Sequence, residues 1–236
     1  MEYFYDTHFH LDLQKDRCAA IREIEENQIY TIAVTNLPDL YRKETTEIAS
    51  KYIRFALGFH PELICQYGNL VPIMWELLPE ARYIGEVGLD FKDTSHKKEQ
   101  ISFFGELVER CRYDSSKIIT IHSRRAVGQV LDIIGHNFRF KPILHWFTGS
   151  KVELLNAIDH GCYFSINGAM LCSKKFQSLL PLIPKERILL ETDSPFTFFK
   201  GSHSDTLAMI VHFLKEEKQD INIWSNFKML ISQNKI

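Results

Sequence analysis

The strongest constraint on this chain is a rhythm. Eight short runs rich in β-branched and aromatic residues recur along it: 3–8 (YFYDTH), 30–35 (YTIAVT), 53–59 (IRFALGF), 82–87 (RYIGEV), 117–122 (KIITIH), 141–146 (KPILHW), 162–166 (CYFSI) and 187–192 (RILLET). Each is mostly apolar rather than strictly alternating, as expected of a strand covered on both faces. Between them the sequence predicts helices, clearest over 15–27, 41–51, 96–113, 124–136, 150–159 and 203–218. The last carries Leu207, Ile210, Val211 and Leu214 as an i, i+3, i+4, i+7 stripe. Strands alternating with helices in this way predict an α/β fold, a TIM-like (β/α)8 barrel, as a single domain over 1–236. The 236 residues suit it, since such barrels typically need ~250. Residues 221–236 are expected to form a short helix against the barrel bottom or side.

Composition narrows the setting. No apolar run approaches the ~20 residues of a membrane span. The opening MEYFYD has no basic segment followed by an apolar one, so no secretory signal is expected. Five scattered cysteines with no C-x-x-C pair suit reduced thiols in a cytoplasmic protein. The net charge of −2 excludes a global basic footprint, so a polyanionic partner would have to be met locally.

Chemistry gathers where the expected strands end. The first ends in His8-Phe9-His10, whose two imidazoles share one face of an extended chain. The fourth runs into Glu86, the fifth into His122, the sixth into His145 and the eighth into Asp193. In a barrel these six fall at the C-terminal mouth, where catalytic groups sit. Four imidazoles and two carboxylates form a mixed N/O set suited to Zn, Mn, Mg or a related divalent ion. An isolated histidine at a strand end is more often solvent-facing or capped than a ligand, and H-x-H alone is weak evidence. The order and position of the whole set carry the inference. His96, His136, His160, His203 and His212 lie in expected helices or loops and read as ordinary polar residues. Arg124 and Arg125 follow His122 and are candidate substrate-binding residues, because guanidinium forks match phosphate oxygens.

The segments DTHFHLD (6–12), GFHP (58–61), IGEVGLDF (84–91), TIHSRRA (120–126), LHWFTGS (144–150), FSING (164–168) and LLETDSP (189–195) together resemble the TatD family of metal-dependent deoxyribonucleases. That resemblance implies a TIM-like barrel, a centre of one to three metals, and hydrolysis of DNA, often from an end. Carried over by position, His8, His10 and Asp193 would hold one divalent ion, His122 and His145 a second, and Glu86 would bridge them. Asp193 is the expected general base. Asp12 and Glu191 read as supporting or structural, and His60 as a pocket residue touching the scissile phosphate or a water on the metals.

One stretch departs from the family. After Pro195 an Arg-Asn-x-Pro segment is usual, whereas this chain reads FTFFKGSHSD (196–205). Lys200 and His203 are candidate replacements for the lost cation, and Phe196, Phe198 and Phe199 are candidate stacking or packing surfaces. NFKML (226–230) is similar to the family's final helix. Shortened TatD-like proteins of this kind resemble those of the Qat anti-phage defence systems of bacteria, which implies protein partners in a defence complex beside DNA ends or single strands. Two other readings stay open from sequence alone: hydrolysis of an amide, ester, lactone or exocyclic amine on the same centre, and a partner subunit in which metal stabilises the fold.

Overall fold

The computed structural model describes residues 4–197, 201–218 and 220–232. Eight parallel strands alternate with helices: β1 (Tyr5–Phe9), α1 (Arg17–Glu26), β2 (Tyr30–Val34), α2 (Pro38–Glu47), β3 (Ile53–Ala56), α3 (Val71–Leu77), β4 (Tyr83–Asp90), α4 (Lys97–Cys111), β5 (Ile118–Arg124), α5 (Val127–Ile134), β6 (Lys141–His145), α6 (Lys151–Asp159), β7 (Tyr163–Ile166), α7 (Gly168–Leu171), α8 (Lys174–Leu179), β8 (Ile188–Leu190), α9 (His203–Glu217) and α10 (Ile223–Ile231). Strands β1 to β3 form one parallel run and β4 to β8 another. Backbone bonds just beyond the strand ends join the runs. At one seam Leu57 N donates to Tyr83 O (2.9 Å) and Gly85 N to Leu57 O (2.9 Å). At the other, Asp193 N donates to His8 O (2.9 Å) and His10 N to Ser194 O (3.1 Å). Every expected strand is present, in a TIM-like barrel, and every residue of β4 is buried, as doubly covered strands require.

Close backbone approach explains two glycines. A Cβ on Gly58 would lie 1.7 Å from the Thr35 carbonyl oxygen at the first seam. One on Gly88 would lie 2.1 Å from the carbonyl oxygen of His122, and this residue's φ is +134°. The glycines of GFHP and GEVGLD thus let β3, β4 and β5 close up beside two functional side chains.

The helices differ from the sequence reading in places with identifiable causes. Pro38 opens α2, so this helix starts before 41 and ends before 51. Arg124 still belongs to β5, because Phe91 N donates to its carbonyl (2.9 Å). Arg125 then takes φ +56°, and α5 starts only at Val127. The sequence reading did not include α3, α7 and α8. Only α3's Met74 is buried, so VPIMWEL shows no polar–apolar period, while α7 and α8 are too short for one. In α9, Leu207, Ile210, Val211 and Leu214 are all buried, as the stripe required, and Ser202 caps it. Helix α10 packs at the start of β1, where Phe227 stacks on Tyr5 with ring centres 4.2 Å apart. Asn226 fixes it by donating to the carbonyls of Lys185 (2.6 Å) and Ile188 (2.8 Å). Phe198, Phe199 and Lys200 lie outside the described residues.

Candidate metal centre

The six strand-end residues converge at the barrel mouth. His8, Glu86 and Asp193 are almost fully buried, and a cavity of about 490 Å3 opens above them. Its lining includes His10, His60, Glu86, Asp90, His122 and Arg124, together with His145, Trp146, Asp193 and Phe196.

One half of the centre is built on β1 and the end of β8. His8 Nε2 and His10 Nε2 lie 3.2 Å apart. Asp193 Oδ1 stands 3.6 Å from the first and 3.3 Å from the second. Glu86 Oε2 lies 3.6 and 3.5 Å from the same two nitrogens. Donors held ~2.0–2.3 Å from one tetrahedral ion stand roughly 3.3–3.8 Å from each other. The spacings therefore fit a shared divalent cation, and Asp193 Oδ1 is buried with no hydrogen-bond partner among the described residues. Hydrogen bonds to the buried Asp6 carboxylate hold this half in place. It accepts from His8 N (3.0 Å), Thr192 N (3.1 Å) and Thr192 Oγ1 (2.5 Å), tying β1 to the chain leaving β8.

The other half is drawn tighter. Glu86 Oε1 lies 2.5 Å from His122 Nδ1 and 2.9 Å from His145 Nε2, and these two nitrogens are 3.3 Å apart. Glu86 thus divides its oxygens, Oε2 facing the β1 pair and Oε1 facing the β5 and β6 histidines. His122 Nε2 donates to Asp90 Oδ2 (2.8 Å), which leaves Nδ1 as the inward atom. His145 Nδ1 faces Glu191 Oε2 at 3.8 Å. Glu191 is itself fixed by Trp146 N (3.0 Å), Asn167 Nδ2 (2.8 Å) and Ser165 Oγ (2.5 Å), so it is both wall and support.

The charge balance follows from this crowding. Burial opposes charge on His145, yet Glu86 and Glu191 outweigh it and hold the imidazole well above its ordinary value. His122 is likewise raised against the effect of burial, by Glu86 and Asp90. Burial works against ionised Glu86 too, but His60, His145 and His122 pull it well below the usual carboxylate range. The one carboxylate facing all the imidazoles stays charged.

His60 has a different character. Burial, the largest effect, pushes its pKa down to about 4, so the ring is neutral. Its Nδ1 accepts from Glu62 N (3.3 Å), which places the hydrogen on Nε2, 3.6 Å from Glu86 Oε1. In that tautomer the inward atom is a donor rather than a metal ligand.

The remaining sequence candidates fall in different places. Arg124 lines the cavity, half exposed, with Nη1 4.0 Å from Asp90 Oδ2. Arg125 is exposed and does not line it, because its positive φ turns the chain after β5. His203 is not at the rim: its Nε2 bonds Asp6 Oδ2 at 2.8 Å and its ring stacks on Phe9, on the far side of β1 from His8 and His10. Asp12 is largely shielded, with Oδ1 buried and unpartnered among the described residues. Phe196 does reach the site, edge-on to His10 with centroids 5.1 Å apart. Sequence reasoning missed Asp90, although it stands four residues after Glu86 on the same strand and thus on the same face. Trp146, next to His145, was missed as well.

A barrel carrying this His/carboxylate set at its mouth has the site placement and donor chemistry of metal-dependent hydrolases. The family model described as TatD related DNase matches residues 5–229, and the chain belongs to that family. Among its relatives, the "3'-5' ssDNA/RNA exonuclease TatD" of Erwinia billingiae is 27% identical over 195 residues, covering 77% of this chain and 74% of its own. The protein of that name from Escherichia coli K12 is 32% identical over 126 residues, half of this chain and 47% of its own. Among solved structures, YJJV, a TatD homologue from Escherichia coli K12, superposes with a TM-score of 0.81 at 20% identity, covering 96% and 97% of the two chains. A TatD-family hydrolase from Entamoeba histolytica gives 0.73 at 16% identity, covering 98% and 96%. At these identities the structural likeness is one of fold. Among the described residues no helix is long and apolar enough to cross a membrane.

Proposed function

We propose that this protein hydrolyses phosphodiester bonds at the ends of DNA, single strands above all, with two divalent ions held at the mouth. The observation that carries the reading is the division of Glu86, whose two oxygens face separate histidine pairs. His8, His10 and Asp193 would hold one ion, and His122 and His145 the other, with Glu86 shared. Such a pair, Mg, Mn or Zn, supplies polarisation of the phosphate and a nucleophile at neutral pH. The protein's own groups do the rest. Asp193, with Oδ1 turned to His8 and His10 as the ligand atom, has its second carboxylate oxygen to accept the proton of the attacking water. His60 donates Nε2–H to a phosphate oxygen. Arg124, at the rim, reaches phosphate oxygens with its guanidinium fork.

Binding at an end rather than mid-strand follows from shape and charge. The chain is net negative, so its attraction for a polyanion is confined to the mouth. A stiff duplex does not push an internal phosphate into a pocket of this size. The names of the TatD relatives support a single-stranded substrate. On the same reading the setting is bacterial anti-phage defence in the cytoplasm, with the altered 196–205 stretch meeting a partner protein; the departure in sequence there is its support.

The test supplies Mg2+ or Mn2+ and compares linear single-stranded DNA, blunt duplex and closed circular DNA, with Asp193→Asn as control. Linear single strands should be consumed and the circle left intact. Rapid cutting of the circle would overturn the end-directed reading. Failure on all three would point to another hydrolytic substrate or an obligatory partner.

A further inference from the structure

At the opposite end of the barrel a second group of histidine and carboxylate side chains faces outward. Strands carry the mouth at their C-terminal ends, so helices that return from it end at the other face, roughly 12 Å away for eight residues. His136 follows Gly135, the residue that terminates α5. Asp159 is the last residue of α6 and His160 caps it. These neighbouring helices bring the three together, with one ligand atom from each lying within 4.8 Å of the others. The exposed imidazole of His136 is stacked on the partly buried one of His160, ring centres 3.9 Å apart and planes at 28°.

Three features make this group fit a cation. First, His160 Nδ1 lies 2.7 Å from the carbonyl oxygen of Asn156, which can only accept. Its hydrogen is therefore on Nδ1, and the outward Nε2 presents a lone pair when the ring is neutral, the state a metal ligand needs. The backbone bond also fixes the ring, as supporting bonds do for metal-binding histidines. Second, both helices end here, and the unsatisfied carbonyls at helix C-termini favour positive charge. Third, Asp159 adds a formal negative charge within reach of both rings.

We propose that His136, Asp159 and His160 form an outer divalent-metal site, completed by water. Two imidazoles and one carboxylate select a borderline ion such as Zn2+ over Mg2+ or Ca2+, which favour all-oxygen sets. A metal there would clip α5 to α6. Those helices follow β5 and β6, the strands that carry His122 and His145. The outer site would therefore brace, from behind, the two strand–helix units that build one half of the mouth.

The experiment uses the full chain with its mouth already saturated in zinc, then counts further zinc by equilibrium dialysis. Wild type should bind one equivalent more than His136→Ala/His160→Ala. Excess zinc should raise the Tm of wild type and leave that of the variant unmoved. Activity should be the same in both, because neither residue lies near the mouth. Equal stoichiometry in wild type and variant would overturn the proposal. The single variants His136→Gln and His160→Gln keep the surface polar and carry the same comparison if the double variant proves unstable. All six ligands of the mouth stay intact in each variant, so the result is independent of the function assigned there.

Discussion

Asp90 Oδ2 lies 2.8 Å from the Nε2 of His122, and this contact decides which imidazole nitrogen faces the cavity. Asp90 is buried, and its other oxygen accepts from Lys92 N at 2.8 Å, so the carboxylate is held from two directions. Losing such a support typically costs 10–100-fold in metal affinity or activity. Asp90→Asn should fall near ~10-fold, since an amide oxygen can still accept, and Asp90→Ala near ~100-fold. Metal titration of the two variants checks the order; unchanged affinity in both would show that His122 needs no such support.

Glu86 should be the most sensitive position. Among the described residues Glu86 is the carboxylate that faces both histidine pairs, so Glu86→Gln removes the charge they share and leaves His122 with Asp90 alone and His145 with Glu191 alone. Loss of the ions removes several kcal/mol of transition-state stabilisation. Activity should drop by at least roughly 1000-fold, with the circular dichroism spectrum unchanged, because the residue sits at the mouth rather than in the central layers. A folded Glu86→Gln protein with near-normal hydrolysis and full metal content would remove the bridge from the mechanism.

Much of this was legible in the sequence because period and position are local signals. Each of the eight strands is a short, mostly apolar run, and the strand-end residues are polar groups that an apolar run would not otherwise contain. Less legible was anything set by how the chain turns after a strand. Arg124 and Arg125 look equivalent as neighbours, yet one continues β5 and the other reverses at positive φ, so only Arg124 faces the cavity. His203 is twelve residues past Glu191 in a polar stretch, and nothing local shows that it pairs with Asp6, 197 residues earlier. The short α7 and α8 escaped for another reason: four and six residues show too little of a helical period.

The cysteines offer a test of the core that is independent of catalysis. Burial pushes the Cys162 thiol up to about 12 and the Cys111 thiol up to about 11, whereas Cys18, Cys65 and Cys172 are exposed. Native protein treated with iodoacetamide at pH 8 should take up three adducts and denatured protein five, read by intact mass. Raised thiol pKa values have a second consequence. Above pH 9 the unfolded chain loses both protons while the fold retains them, so stability should fall as pH rises from about 9 toward 12. Adducts on Cys111 or Cys162 in the native protein would show that α4 or the start of β7 opens readily.

The last prediction concerns how a strand end is held. Phe196 is half exposed, stands edge-on to His10 and shares the cavity wall with Trp146 and the rim cation Arg124. A base stacked on an aromatic ring is worth ~1–3 kcal/mol, roughly 5- to 150-fold in affinity. Among the described residues the ring contact of Phe196 is the perpendicular one with His10, and half of the side chain is open to the cavity where such a base would stack. Phe196→Ala should therefore raise KM for a short single-stranded oligonucleotide by about 5- to 10-fold at the low end of that range, with kcat nearly unchanged. Arg124→Gln should act differently, since on the proposed function it removes a phosphate contact: the dependence of binding on salt should become shallower by about 0.7 in log–log slope. If Phe196→Ala instead lowers kcat while metal content falls, the ring serves to position His10, and the base is held elsewhere.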